Sequence, residues 1–424
     1  MWTRHRGASV LALEDCQEDN FCITVDEEVK GEVGLCVVIQ CSYRTEENFI
    51  TQHIIWYKEN RRNPKPVTVF HTDKTEKIEA GYKGRVSLLE PDVNRANCSI
   101  MINDLTESDS GSYHLRVERQ SDGFSYTEKT TSVIIKELSQ KPKMLIPPLT
   151  EGQQATLTCT APGLCSGSRP NFTWIWSGKG EKDSHITGNT TSFNTENLTA
   201  VTQRHSSTLT FAPSAKHHDT ELTCKVRFIV DTDPQETETL MVTYVRKPQI
   251  LGRTTVKEGN NLNLTCSVDS YPTSDVKFSR KLNSSVKGVL QKGNGFASYR
   301  VANVTTEDAG LYICTAKHLN NTLTEEINVE VTWFSGILNG SGCVLRSELT
   351  CVCISEGFPL PTINWSLPMS YTAHSVTDTV SDQAVISAVT LTIKSHENIS
   401  VECFSSNGNG EAKEKLRVVK YLSD

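Results

Sequence analysis

Asp109-Ser110-Gly111-Ser112-Tyr113-His114-Leu115-Arg116-Val117-Glu118 decides how this chain of 424 residues folds. Side chains along a strand point to opposite faces in turn, so Tyr113 and Leu115 face one way and His114 and Arg116 the other. If Leu115 fills a core position, Arg116 stands on the outer face of the sheet. A cation there, with its stem lying along the sheet, is a receptor for a carboxylate. The same spelling returns at Asp308-Ala-Gly-Leu-Tyr312-Ile-Cys314, with cysteine where the first copy has Leu115.

Asp-x-Gly-x-Tyr resembles the turn and tyrosine corner that open strand F of an immunoglobulin sandwich, where a core cysteine stands two residues after the tyrosine. Around it, short β-type runs recur between clusters of Gly, Asn, Asp and Ser, and long amphipathic helical stretches are absent. The pattern repeats at roughly domain length, which suggests tandem β-sandwiches of ~100 residues each. The expected fold is therefore all-β: tandem immunoglobulin-like β-sandwiches, one V-set domain followed by three of C2 or I type. Residues 1–20 form an N-terminal segment without an assigned fold, and the four domains are expected at 21–137, 141–245, 247–332 and 333–422. Gln140-Lys-Pro-Lys143 and Val245-Arg-Lys-Pro248 are the first two connectors, and a third without proline falls near Trp333. Connectors this short favour a stiff rod, with more bending at the later junctions.

The net charge is −7, from 43 basic and 50 acidic residues, with no basic block, which argues against nucleic acid as a partner. No apolar run is long enough for a membrane span. The 14 cysteines point to the secretory pathway. So do glycosylation sequons at Asn97, Asn171, Asn189, Asn197, Asn263, Asn283, Asn303, Asn320, Asn339, Asn364 and Asn398. In residues 1–14, Arg4 and Arg6 precede only a short apolar run, so no signal peptide is read there and an incomplete N-terminus is expected. The expectation is the extracellular part of a plasma-membrane protein whose membrane helix lies beyond Asp424, with a secreted protein as the alternative. No Gly-rich phosphate loop, nucleophile elbow or metal-binding helix is present, so neither an enzyme nor a cofactor is expected.

The cysteines follow the sandwiches. In the first unit Cys41 lies on the presumed strand B, and Trp56 follows 15 residues later as a strand C core tryptophan should. Arg85 is placed to pair with Asp109. Leu115 cannot bridge, so the next candidate for Cys41 is Cys98 on strand E, in the same sheet as strand B. Cys159 and Cys224 occupy strands B and F of the second unit, with Trp174 or Trp176 on strand C. Cys36 and Cys165 are surplus in adjoining units, which suggests a bridge between them. Cys266 pairs with Cys314 around Phe278 in the third unit. In the fourth, Cys353 and Cys403 read as the core pair around Trp365, and Cys343 and Cys351 are left to close a local loop.

These residues resemble the Siglecs, the sialic-acid-binding immunoglobulin-like lectins, over nearly the whole chain from Phe21 onward. Gly34-Leu-Cys36-Val-Val-Ile-Gln-Cys41 is similar to that family's paired-cysteine strand B, and Leu157-Thr-Cys159-Thr-Ala-Pro-Gly-Leu-Cys165 to its second-domain counterpart. The last unit, with Cys343 and Leu349-Thr-Cys351-Val-Cys353, resembles the family's membrane-proximal domains. The resemblance implies that Cys36 bridges to the second domain. It implies a cell-surface lectin for sialylated glycans on glycoproteins or glycolipids, with cis or homotypic association through the membrane-proximal domains. By the same resemblance Arg116 pairs with the sialic acid carboxylate, and a guanidinium fork suits that planar anion better than an ammonium. Phe124 takes the place of the aromatic that packs on the glycerol tail. Backbone groups of Gly123 and Ser125 would hydrogen-bond the sugar, and Phe21 takes the place of a second aromatic. Tryptophan is frequent at both aromatic positions in the family, and phenylalanine offers a smaller face without an N–H. Cys16 and Cys22, a further departure, are candidates for a bridge beside the site.

Blander readings compete with these. Arg116 can be a solvated strand residue paired with Glu118. An immunoglobulin-type adhesion rod would bind proteins without sugar recognition. Cys343, Cys351 and Cys353 suggest a metal knuckle, but no histidine stands at ligand spacing and disulfides fit the compartment better. His217-His218 reads as a solvated turn, and Lys58-Glu-Asn-Arg-Arg62 as an ordinary charged loop.

Overall fold

A computed structural model describes residues 15–18, 20–59, 65–120, 122–179, 184, 186, 189–199, 201–230, 232–282, 285–367, 371–393 and 400–420. Residues 1–14, residues 60–62 of the charged loop, the sequons at Asn283 and Asn398 and residues 421–424 lie outside these. The described residues form strands, turns and short 3-10 segments, with no α-helix among them. The chain divides into two units, residues 1–243 and 244–424.

The first core of the first unit is built on the alternation of Gly111–Arg119. Tyr113, Leu115 and Val117 are all buried. Leu115 lies opposite Trp56 of the antiparallel strand His53–Lys58, and the two close the core where a cysteine would otherwise sit. Each such buried side chain contributes about 1.5–3 kcal/mol. The sheet runs in the order Glu28–Glu32, Thr131–Lys136, Gly111–Arg119, His53–Lys58, Val67–His71, with Asp122–Ser125 also paired to Gly111–Arg119. Facing it, Phe21–Val25 pairs with Cys41–Arg44, and Ile100–Ile102 lies between Val37–Ile39 and Val86–Leu88. Cys41 is bonded to Cys98, on the far side of the core from Trp56, whose Nε1 donates to Cys98 O at 2.9 Å.

The corner before Gly111 is locked by charge and hydrogen bonds. Both Arg85 Nη groups donate to the Asp109 carboxylate at 2.9 Å, and Thr106 N donates at 2.8 Å. Burial alone would raise the Asp109 pKa, but the Arg85 and Thr106 hydrogen bonds outweigh it and hold the carboxyl below its ordinary value. Tyr113 Oη donates to Asp109 O at 2.6 Å, which fixes the entry of the strand that carries Arg116.

The second core surrounds Cys159–Cys224, and Trp174, not Trp176, is the tryptophan paired opposite Cys224. Cys36 is bonded to Cys165, and Leu35 beside it is buried in the second core. Ser168 donates from its backbone N and its hydroxyl to Asp104, at 3.0 and 2.8 Å. The expectation of a solvated His217 is corrected here. His217 is buried edge-on against Trp176 and Phe211, and its Nδ1 accepts from Ser214 N at 2.9 Å.

The second unit holds two further cores, one around Cys266–Cys314 with Phe278 opposite Cys314, the other around Cys353–Cys403. Cys343 and Cys351 are bonded across adjacent strands. Trp333 lies inside one strand, Asn321–Ile337, which pairs with Gly310–His318 at its start and Leu349–Phe358 at its end. That passage is continuous strand rather than a loop, and Thr332 Oγ1 donates to Asn409 Oδ1 at 3.0 Å beside it.

Candidate functional site

The outer face of the Gly111–Arg119 sheet is closed at one end and open at the other. At the closed end His114 is buried, although the pleat points it outward. Its ring lies 5.4 Å from that of Tyr57, and its Nδ1 is 2.8 Å from Glu59 Oε1. Burial pushes the His114 pKa down, against the pull of Glu59. At the open end stand Arg116 and Glu118, both half-buried.

Arg116 is held by its neighbours. Its Nε donates to Glu118 Oε1 at 2.7 Å, and its Nη1 to Ser125 Oγ at 3.0 Å. Ser125 is the residue directly across the ladder, and Gly123 lies across from Glu118. A Cβ at Gly123 would come within 2.6 Å of Arg116 Nη2 and 2.9 Å of its Cζ. The guanidinium thus lies on the bare backbone of Gly123, closer than any side chain would permit. Arg116, Gly123 and Ser125, named separately from the sequence, form one contact group.

The two aromatics form another. Phe124 is opposite Val117, whose side chain is in the core, so the pleat turns Phe124 away from the face that carries Arg116. Its ring stacks on Phe21 at 4.2 Å and meets Tyr126 edge-on at 5.0 Å. Phe21 also packs against Phe49 and is only 8% exposed, so it has little surface left for a ligand. Phe124 is half-buried at the sheet edge and packs against the core. Cys16 is bonded to Cys22, the residue after Phe21, which ties the incoming chain to this edge.

Sequence reasoning missed the strands beside the arginine. His53 is opposite Glu118, Ile55 opposite Arg116, and His71 opposite Ile55. The His53 and His71 rings are 5.5 Å apart. Burial lowers the His71 pKa and His53 lowers it further, while Glu118, Glu76 and Asp73 oppose them. The signal was available: once Trp56 is placed inward, alternation puts Ile55 and His53 on Arg116's side. Among the described residues no group of His, Cys, Asp and Glu is placed to hold a metal ion, and none is a helix long and apolar enough to cross a membrane.

Residues 24–136 match the immunoglobulin V-set domain, 137–228 the CD80-like C2-set immunoglobulin domain, and 247–318 a further immunoglobulin domain. Sialic acid-binding Ig-like lectin 13 of Pan troglodytes is 31% identical over 279 residues, which cover 62% of this chain and 69% of that protein. The chain belongs to the sialic acid-binding Ig-like lectin family. Human sialic acid-binding Ig-like lectin 5 is 28% identical over 372 residues, 81% of this chain and 63% of that one. Mouse sialic acid-binding Ig-like lectin 12 is 26% identical over 327 residues, 71% and 66% respectively. This family member therefore spans about two-thirds of the length of these relatives. Its tandem immunoglobulin domains, V-set first and C2-set second, suit that membership.

Proposed function

We propose that the first domain binds terminal sialic acid on glycoproteins or glycolipids, as part of a cell-surface receptor, through the open end of the face that carries Arg116. The observation that carries this reading is the fixed guanidinium. Glu118 and Ser125 orient it, Gly123 leaves room for it, and these two bonds take only two of its five N–H groups, so the others can meet a planar carboxylate. Backbone groups of Gly123 and Ser125 orient the sugar beside it. Phe124 supplies apolar contact at the sheet edge, and Phe21 acts as its backing. Such a site is shallow and wet, with affinity of about −4 to −8 kcal/mol, millimolar to micromolar, so adhesion depends on many copies. Cis or homotypic association through the last domains would raise that copy number.

A second reading rests on the same contact. The Arg116–Glu118 pair satisfies the cation internally, as it would in an adhesion rod that binds proteins. A sialoglycan array, with and without sialidase treatment, separates the two when clustered ectodomains of the parent, Arg116→Ala and Arg116→Lys are compared. Arg116→Ala loses sialidase-sensitive binding, and Arg116→Lys keeps at most part of it because the ammonium lacks the fork. Full binding by Arg116→Ala replaces the lectin with the adhesion rod.

A further inference from the structure

The sandwich of the second domain is open along one side. The strand Asn171–Ser177 ends one of its sheets, and Thr190–Asn197 ends the other. A bridge between Trp176 and Ser184 lies on the outer edge of the first. Between them lies a cleft of about 420 Å³ lined by Phe172, Trp174 and Phe193. The Phe172 and Phe193 rings are 5.7 Å apart, and the Arg169 guanidinium lies over Phe193 at 3.4 Å from its centroid. Phe172 packs against the second core and also lines this open, polar-rimmed cleft.

The rim carries two acceptors for carbohydrate. Asn171-Phe-Thr173 and Asn189-Thr-Thr191 both contribute their asparagine and threonine to the lining, one from each edge. Asn171 is exposed and Asn189 half-buried, so both amides are open to modification.

We propose that Asn171 and Asn189 carry N-linked glycans whose innermost N-acetylglucosamine rings close this cleft. In the attachment, Asn Nδ2 bonds to C1 of the sugar of a lipid-pyrophosphate-linked oligosaccharide. The C1–O bond to phosphate breaks, the pyrophosphate leaves with the electron pair, and Nδ2 loses one proton. The attached ring lays its C–H face on Phe172 beside the Arg169–Phe193 stack, and its N-acetyl carbonyl accepts from Arg169. The glycans thereby also stand over the outer edges of these two strands and hinder their pairing with another strand. This inference does not depend on the Arg116 site.

The test uses the whole ectodomain secreted from animal cells. Release of N-glycans by a peptide N-glycosidase in heavy-oxygen water converts each occupied asparagine to a labelled aspartate, and peptide mass spectrometry reads both positions. Label is expected at Asn171 and Asn189, and its absence at either overturns the proposal. The folded protein is then compared in three states: intact, trimmed by an endoglycosidase to the innermost sugar, and fully released. Trimming is expected to leave the thermal midpoint unchanged, and full release to lower it by roughly 4 °C or more and open Trp174 to a fluorescence quencher. The same midpoint and quenching in all three states would show glycans that do not cover the cleft and would sink the proposal. Asn171→Gln with Asn189→Gln should reproduce the released state.

Discussion

Replacing Gly123 with alanine tests whether the guanidinium position, and not merely its charge, makes the site. The new Cβ would lie 2.6 Å from Arg116 Nη2, 2.9 Å from Arg116 Cζ and 2.8 Å from Glu118 Cγ. Carbon contacts settle at about 3.5–4.0 Å, so the guanidinium must retreat by roughly 1 Å. From 3.0 Å, the Nη1 contact to Ser125 then stretches beyond hydrogen-bond reach. The fork no longer faces a carboxylate squarely, and loss of one charge-assisted bond costs about 1.5–3 kcal/mol, roughly 10- to 150-fold in Kd. The moving group is the end of a flexible, half-exposed side chain, so stability should change by no more than about 0.5 kcal/mol. Titration of a soluble sialylated trisaccharide by NMR gives the affinity, and thermal denaturation gives the stability. If Gly123→Ala binds within threefold of the parent while Arg116→Ala does not bind, close packing on Gly123 is irrelevant and the positional argument is wrong.

Two stability predictions follow from the first unit. Asp109→Asn breaks a pair whose side chains are 1% and 18% exposed, at a cost of about 3–5 kcal/mol to the first domain. Because the folded Asp109 pKa lies below its ordinary 3.8, the stabilisation is full above that value and disappears as pH falls through the lower, folded one. Melting curves from neutral pH down should therefore diverge most between parent and variant above pH 4 and converge in strong acid; a constant gap would contradict the assignment. Cys36→Ser with Cys165→Ser releases the bond between the first two domains, worth about 2–5 kcal/mol. Calorimetry should resolve the parent's joint transition into two, and an unchanged profile would count against coupling through this bond.

The fold class was legible because its decisive features are local. Asp109-x-Gly111-x-Tyr113 specifies a corner by backbone geometry and one tyrosine hydroxyl, and Leu115 declares its side by parity with Tyr113. What sequence could not show depends on register between strands. The Phe124 side chain faces away from Arg116 because Arg119 is paired with Asp122, and a slip of one residue would reverse it. Trp174 and Trp176 share a face by parity, so only the pairing of Trp174 with Cys224 separates them. Two polar residues in a row at His217-His218 read as a solvated turn, whereas the backbone position of His217, three residues after Ser214, turns its ring into the core. The contact of Arg116 with Gly123 was likewise hidden, since no spacing rule states that a glycine is needed beneath a side chain from the next strand.

Glu118 sets how strongly an acidic ligand can bind at Arg116. Its carboxylate accepts from Nε and Ser125 Oγ accepts one N–H of Nη1, which leaves the second N–H of Nη1 and those of Nη2 for a ligand carboxylate. An incoming carboxylate on that edge gains the fork but meets a like charge on the far side of the same group. Both side chains are about one-third exposed, so the repulsion is screened. For charges about 6 Å apart in a medium near water it amounts to roughly 0.7 kcal/mol, and to about twice that if the site is drier. Glu118→Gln removes the charge and keeps an oxygen that accepts from Nε, so it should tighten binding by about 3- to 10-fold. Glu118→Ala removes the acceptor as well, frees the guanidinium to turn, and should weaken binding despite the same relief of charge. The two variants thus move in opposite directions only if Glu118 both orients the fork and repels the ligand. Equal affinities for both, in the same NMR titration and at low salt, would mean that Arg116 is oriented by Ser125 and Gly123 alone.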